Sequence, residues 1–465
     1  MRKYLPLAAA IVVALVSGSG PGAAQDERRV GADARSAATL TVYQQDLALV
    51  SERRRVSLTE GRNRLAIEDV SAALQPETVL LAGAGLRVVE QAFAFDLVTP
   101  RRLLEAALGK TVQVVKTHPR TGEETVVDAH LLGIAQGPVL QIGDRIETEP
   151  PGRIALDRLP QGLRQRPTLL AVLDSDRAGD ADLDLSYLTG GLSWRADYVA
   201  EVGAGGDRLD LTGLVTLDNR SGTGFTDATL RLVAGDVSRE PAAPAFDQAR
   251  MMAEAALAAP VPQAVGDRYL YTLGRTVDLA DRETKQIVLL EADDVAVRRE
   301  YRFENLVDAQ SGAEETGPVG AAIALVLENT GDTGLGRPLP GGVVRVYEAA
   351  PGGRLFAGED RIRHTPQGER IDLTLGRAFD VTGTARRTAF ERLSRNSYET
   401  AQEIVIRNVK DDPVEVRVIG HMPPGWRLLR ESAPHTRETA NRLVWTLPVP
   451  AGGEAALTYR VRVSR

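Results

Sequence analysis

Short runs in which apolar and polar residues alternate recur along nearly the whole chain. Arg53 to Leu58 alternates charged and apolar side chains, and Arg64-Leu65-Ala66-Ile67-Glu68 resumes the alternation after a Glu60-Gly61 turn. Ala456 to Val463 repeats it near the end. A period of two sends successive side chains to opposite faces of a strand, so these runs predict half-buried β-strands. With a turn at Tyr43-Gln44-Gln45-Asp46, the segment from Thr39 to Glu68 reads as a meander of short strands. One segment departs from the pattern. Thr99 can cap, Pro100 fits a first helical position and Gly109 can end the helix, so a short helix is expected between them. Lys110 to Lys116 and Glu123 to Leu132 predict a hairpin about Thr121-Gly122, and Val139 to Ile146 predicts a further strand pair. The expected fold is mainly all-β, as tandem β-sandwich-like domains with few short helices.

Further along, Leu169 to Leu173 and Leu183 to Leu188 flank a polar stretch from Asp174 to Asp182, which reads as a hairpin loop. Trp194 to Val202, Leu209 to Leu217 and Ala228 to Ala234 read as strands. Three apolar strands end in asparagine and then turn: Leu214 to Asn219, Leu325 to Asn329 and Ile404 to Asn408. Asparagine tolerates the left-handed conformation and can bond local backbone, so it suits a strand-to-turn corner of the kind sandwiches use.

The two least strand-like regions set the domain plan. Arg2 and Lys3 precede an apolar run from Leu5 to Val16, then small residues and Gly22-Ala23-Ala24. This is a secretory-signal pattern, too short for a spanning helix, and it predicts a signal peptide over residues 1–24. Residues 25–37 then read as a disordered leader, 38–180 as an N-terminal β-rich domain with one short helix, and 181–465 as a β-sandwich region. Within the last, residues 238–267 are rich in Ala and Pro and predict a mobile excursion. The expected location is the periplasm, with outer-membrane association open and no span left after signal cleavage.

Composition narrows the function. The net charge of −7 is spread out, and no basic patch interleaved with aromatics appears, which argues against nucleic acid. Aromatics at 5% are too few for the girdles of a porin-like barrel. The chain has no cysteine, which removes disulfides, thiolate metal sites and thiol nucleophiles.

Two constellations are candidates for chemistry. Glu359, Asp360 and His364 form the densest cluster of ionisable groups, and a Glu/Asp/His set can perform hydrolysis or hold a metal. Yet Arg361 and Arg363 flank Ile362, and Thr365 to Gly368 reads as a turn to Arg370–Leu375, so a charged hairpin explains the segment too. Asp174, Asp176, Asp180 and Asp182 offer carboxylates for calcium, but they lack the EF-hand order. No phosphate loop or nucleophile elbow occurs, and no cofactor is expected. In Trp194-Arg195-Ala196-Asp197-Tyr198, Trp194 and Tyr198 share one strand face, and Arg195 and Asp197 share the other, where they can pair.

That last stretch, within Ser186 to Tyr198, resembles an exported bacterial family of unknown function related to mucoidy inhibitor A-like proteins. Asn219 to Thr223, Leu230 to Val237, Tyr271-Thr272-Leu273, Lys285-Gln286, Arg337 to Gly342 and His364-Thr365-Pro366 follow in the family's order. The residues that carry the resemblance include Tyr187, Gly190, Trp194, Tyr198, Asn219, Gly235, Pro338, Pro340, His364 and Pro366. The resemblance implies a β-rich envelope domain and brings no catalytic residues. Some relatives carry a coiled-coil insertion in the N-terminal half, for which this chain has no heptads. The expected activity is therefore that of a non-catalytic envelope protein that binds or supports an envelope protein or glycan. A periplasmic hydrolase built on Glu359, Asp360 and His364 is the alternative.

Overall fold

The computed structural model describes residues 27–94, 97–160, 163–235, 263–265, 268–304, 306 and 315–464. Strand accounts for 67% of it and helix for 4%, so the fold is all-β. Residues 1–24, expected as a signal peptide, lie outside the described residues, as does all of the 238–267 excursion except the strand Gln263–Val265. No helix among the described residues is long and apolar enough to cross a membrane.

The chain divides into two compact units. One comprises the described residues up to Ser36 with Arg53–Val70 and Leu81–Leu185; the other comprises Ala37–Glu52, Ser71–Leu80 and Ser186 onward. The expected domain boundary at 180/181 therefore has a near counterpart, but two early segments belong with the later unit. Part of the expected disordered leader is ordered: Arg28–Val30 is a strand, and another strand begins at Arg35. Arg28–Val30 runs parallel to Leu65–Ile67, so backbone pairing orders a segment whose side chains give little strand signal.

In the first unit, a four-stranded sheet places Arg28–Val30, Gly61–Glu68, Thr168–Ser175 and Leu86–Ala94 side by side in that order. The expected meander breaks here, because Gly61–Glu68 pairs with Thr168–Ser175. Arg54 occupies a core-facing position and is fully buried. Its Nη1 donates to the carbonyls of Val30, Gly31 and Glu68 at 3.1, 3.2 and 2.6 Å, which ties the ends of two strands together from inside the core.

The helix forms as expected, over Pro100–Ala107. Thr99 Oγ1 accepts from the Arg102 amide at 3.2 Å, Pro100 opens the first turn, and Gly109 takes the left-handed conformation at φ +73°. It packs Ala107 on Val112, Val114, Ala129, Leu131 and Leu140 of a second, five-stranded sheet. That sheet contains the expected hairpin, Thr111–Thr117 against Glu124–Gly133, and the pair Val139–Ile142 with Arg145–Glu147.

In the second unit, a nine-stranded sheet supplies a core of its own. Tyr301, Phe303, Ile404, Ile406, Val418, Trp445 and Leu457 come from five of its strands and pack together. A sheet whose own strands meet across one core must curl, and this one forms a half-barrel. A five-stranded sheet lies alongside, in the order Glu283–Ala296, Arg208–Asn219, Leu192–Val202, Gly342–Ala350, Gly353–Ile362. Tyr198, Leu211 and Val344 of that sheet meet Leu327, Ile371 and Leu373 of the curled one, a sandwich layer.

Two turns that read as hairpins change sheets instead. Thr168–Ser175 belongs to the four-stranded sheet, whereas Gly179–Thr189 joins a different one. Likewise Gly353–Ile362 lies in the five-stranded sheet, and Arg370–Arg392 after Thr365–Gly368 lies in the curled sheet. Alternation marks which face a residue takes, and it says nothing of which strand it will pair with.

Candidate functional site

The residues that carried the family resemblance converge on backbone of the second unit. Trp194 donates its indole N–H to the Val233 carbonyl at 3.2 Å, and the Tyr198 hydroxyl donates to the Pro340 carbonyl at 2.7 Å. Tyr271 does the same to Pro338 at 3.2 Å. Burial pushes the Tyr198 hydroxyl well above its ordinary pKa, so it is a fixed donor. Leu339 and Thr365 exchange two backbone hydrogen bonds at 2.9 Å in an antiparallel bridge, which sets Pro338 beside Pro366 and Pro340 beside His364. The Gly341 amide donates to His364 Nδ1 at 3.1 Å. Gly342 passes so close to Ala196 that a Cβ there would stand 2.3 Å from its carbonyl oxygen. Tyr187 is fully buried and accepts from the Ser71 amide at 3.3 Å. The Gly190 amide donates to Ala73, and Gly235 ends the strand Phe225–Ala234 at φ +116°. These residues hold loops to strands.

The three strand-ending asparagines do the same work. All are fully buried. Asn219 Nδ2 donates to the carbonyls of Thr223 and Ala280, both at 2.9 Å, while its Oδ1 accepts from the Ser221 amide and hydroxyl. Asn329 donates to Arg337 and Pro366 at 2.8 Å and accepts from the Arg337 amide. Asn408 donates to Asp412 and Pro450 and accepts from Lys410. None takes the left-handed conformation expected of it. The side-chain amide forms the corner by itself, bonding its own turn and a distant loop at once.

Glu359, Asp360 and His364 do not converge. Glu359 and Asp360 are consecutive in the strand Gly353–Ile362 and so face opposite sides. Asp360 accepts from the amides of Arg361 and Thr374, both at 2.7 Å, fastening this strand to Arg370–Arg392 across the sheet change. Glu359 ends a row that crosses the five-stranded sheet. Gln286 donates to Thr216 at 3.1 Å, Thr216 to Asp197 at 2.9 Å, and Arg345 joins Asp197 to Glu359 at 3.3 Å on each side. Arg195 also pairs with Asp197 at 3.3 Å, as its position on that face predicts.

The aspartates proposed for calcium are likewise dispersed. Asp174 pairs with Arg62 at 2.9 Å and with Arg87, and Asp182 faces Arg55 at 3.7 Å. The Arg62 hydrogen bond holds the Asp174 carboxyl below its usual range. Among the described residues no three His, Asp or Glu side chains are placed to hold a metal. Calcium or a chelator is therefore expected to leave the thermal unfolding midpoint unchanged; a rise of several degrees in millimolar calcium would refute this.

Sequence reasoning missed a buried charge cluster. Glu300 is buried on the strand Arg298–Glu304, and Arg298, Arg302, Arg417 and Arg370 surround it at 2.5, 2.7, 3.1 and 3.5 Å. Burial raises its pKa, but the Arg302 hydrogen bond and the fields of Arg302, Arg417 and Arg298 outweigh that and leave it lowered. Asp372 pairs with Arg302 and Arg370, and Glu438 accepts from Arg417 at 2.6 Å. The only local sign was the alternation Glu300-Tyr301-Arg302-Phe303-Glu304 after Arg298-Arg299.

Also missed was a hairpin end of the curled sheet. Every residue from Thr388 to Asn396 is exposed, including Phe390 at 52% and Leu393 at 44%. Phe390 stacks on Tyr398, and the Arg387 guanidinium lies 5.3 Å from its ring centre. Apolar residues set among arginines just before the turn Ser394 to Ser397 were the available signal.

The model of the family described as Domain of unknown function (DUF4139) matches residues 183–464, well over half of the chain. The chain belongs to this family. Its match covers all three corner asparagines, the Glu300 cluster and the hairpin end. A search of the curated proteins found no match. The family's description assigns no function, so any functional reading rests on the chemistry of these surfaces.

In the first unit, a cleft of about 800 Å³ opens beside the helix, between Lys110, Gln113, Asp128, Asp157 and Arg158 over an Ala, Val and Leu floor. Its charged groups are all exposed, and nothing in it distinguishes a ligand class.

Proposed function

We propose that this is an exported cell-envelope protein that acts by binding or supporting an envelope partner, protein or glycan, and not by turning over a substrate. A relationship to mucoidy inhibitor A-like proteins is part of the same proposal, resting on the motifs between Ser186 and Pro366. Export is supported by Arg2, Lys3, the Leu5–Val16 run and Gly22-Ala23-Ala24.

One observation carries the reading of mode of action. Wherever a carboxylate among the described residues has a resolved pKa shift, the shift is downward. In most of them an arginine is among the causes, as at Glu300, Asp372 and Glu399. A general acid at neutral pH needs a carboxyl raised towards its working pH, so Glu300, Asp372 and Glu399, each ion-paired to arginines on other strands, suit cross-strand pairing and not proton transfer. Rows of such pairs fix sheet faces as rigid surfaces, which is what a docking module presents.

The test is chemical cross-linking in intact cells followed by capture from envelope extracts and reciprocal capture of any partner found. A stoichiometric envelope protein or glycan, recovered in both directions, is expected, with the mature N-terminus near Gln25. Recovery of none, or a chain that stays in the cytoplasm, would overturn the proposal.

A further inference from the structure

The hairpin end at Arg386–Ser397 differs from the other charged surfaces described. Elsewhere arginines and carboxylates alternate and pair. Here the segment Arg386 to Asn396 holds Arg386, Arg387, Arg392 and Arg395 against the single acid Glu391. That acid is bound to Arg460 at 3.2 Å. Arg386 is paired with Glu403, but Arg392 and Arg395 have no ion-pair partner among the described residues. A chain of net charge −7 thus places a local excess of positive charge at one sheet end.

The neighbours extend the feature. Ser397 lies against Ser464, whose amide donates to the Gly425 carbonyl at 3.0 Å, so the loop before Trp426 reaches the same end. Trp426 donates its indole N–H to the Ala440 carbonyl and lies under the Arg437 guanidinium, 5.1 Å from its ring centre. The nearby acid Glu438 is held by Arg417 and Arg442. The end therefore shows exposed Phe390 and Leu393 and a half-buried Trp426, set among arginines, with Glu391, Glu399 and Glu438 each held by an arginine.

We infer that this end of the curled sheet docks on an anionic lipid surface, with Phe390 and Leu393 entering the headgroup boundary and Arg392 and Arg395 contacting lipid phosphates. The inference rests on the proposed envelope function and names the partner of one of its surfaces. Charge complementarity selects an anionic occupant. Shape selects a lipid surface over a folded protein: two apolar side chains on a hairpin tip suit shallow insertion, whereas a stable protein interface buries about 800 Å² per partner. Arginines and aromatic rings at the headgroup level are the usual composition of such contacts.

The test uses the protein purified with its natural N-terminus and co-sedimentation with two sets of vesicles, pure phosphatidylcholine and a phosphatidylcholine–phosphatidylglycerol mixture. Wild type is expected to bind only the mixture and to be released by raised salt. The double variant Arg392→Glu/Arg395→Glu should lose binding at least tenfold, since each arginine near an anionic surface contributes roughly fivefold. Phe390→Ser/Leu393→Ser should weaken it as well, and thermal unfolding should show that both variants fold. Equal binding to both vesicle types, or variants that bind as wild type does, would overturn the inference. Absence of vesicle binding alongside a captured envelope partner would sink this inference and leave the proposed function standing. Loss of that partner in the arginine variant, without vesicle binding, would assign the end to an acidic protein instead.

Discussion

Replacing Asn329 with alanine is expected to destabilise the second unit by about 2–4 kcal/mol, because buried carbonyls lose their donor and the remaining void cannot admit a substitute. The side chain is fully buried and bonds the Arg337 and Pro366 carbonyls at 2.8 Å. Those two residues flank the crossing that aims the Pro338 and Pro340 carbonyls at Tyr271 and Tyr198. Loss of the amide should loosen that loop, so Tyr198→Phe in the same background should cost less than it does alone. Such coupling is expected of residues sharing one hydrogen-bonded loop, and strict additivity would refute the shared role. Asn219→Ala should cost a similar amount, since four of its five bonds are 3.0 Å or shorter. Asn329→Asp is the sharper variant. A carboxylate facing those carbonyls would be repelled, so its pKa would rise on folding. It should then be worse than alanine at neutral pH and partly recover as acid protonates it. Equilibrium denaturation at two pH values measures both effects, and a pH-independent cost would argue against this geometry.

The asparagine corners also show where sequence reading succeeds. Each could be found because its signal is local: an apolar run, one asparagine, then a polar turn. The helix from Pro100 was legible for the same reason, with cap, first-turn proline and terminal glycine within ten positions of one another. Strand after strand was legible from alternation. What alternation could not supply was partnership. Asp174 to Asp182 and Thr365 to Gly368 have the composition of hairpin turns, yet both carry the chain from one sheet to another. The energy that decides between hairpin and sheet change lies in contacts far away, such as Thr168–Ser175 meeting Gly61–Glu68 over a hundred residues earlier. The Glu359–Asp360–His364 cluster shows the same limit. Neighbours in sequence were split between two faces, while Glu359 joined Arg345 and, through it, Asp197. The Glu300 cluster reverses it: Arg370 and Arg417 stand 70 and 117 residues away, and only the curled sheet assembles them.

Removing the charge at Glu300 is therefore expected to have the largest electrostatic effect in the protein. Glu300→Ala leaves Arg298, Arg302, Arg370 and Arg417 facing one another around a buried position. Breaking a buried ion pair by deleting one member costs about 3–5 kcal/mol, because the charges left behind are uncompensated. Asp372 and Glu438 soften this for Arg302, Arg370 and Arg417, but among the described residues the only ion pair of Arg298 is with Glu300. Glu300→Gln keeps the shape and removes only the charge, so it should fall between wild type and alanine. Raised salt should narrow the gap by screening the remaining repulsion. The pH dependence carries the decisive sign. The folded pKa of Glu300 lies below the ordinary value of 4.5, so the group stabilises the fold above that pH. The contribution disappears as pH falls from 4.5 through the lower folded value. Wild type and Glu300→Gln should thus differ most at neutral pH and converge in acid, when denaturation midpoints are compared from pH 7 downward. A gap that stays constant across that range would mean that Glu300 acts through packing and that its arginines are satisfied without it.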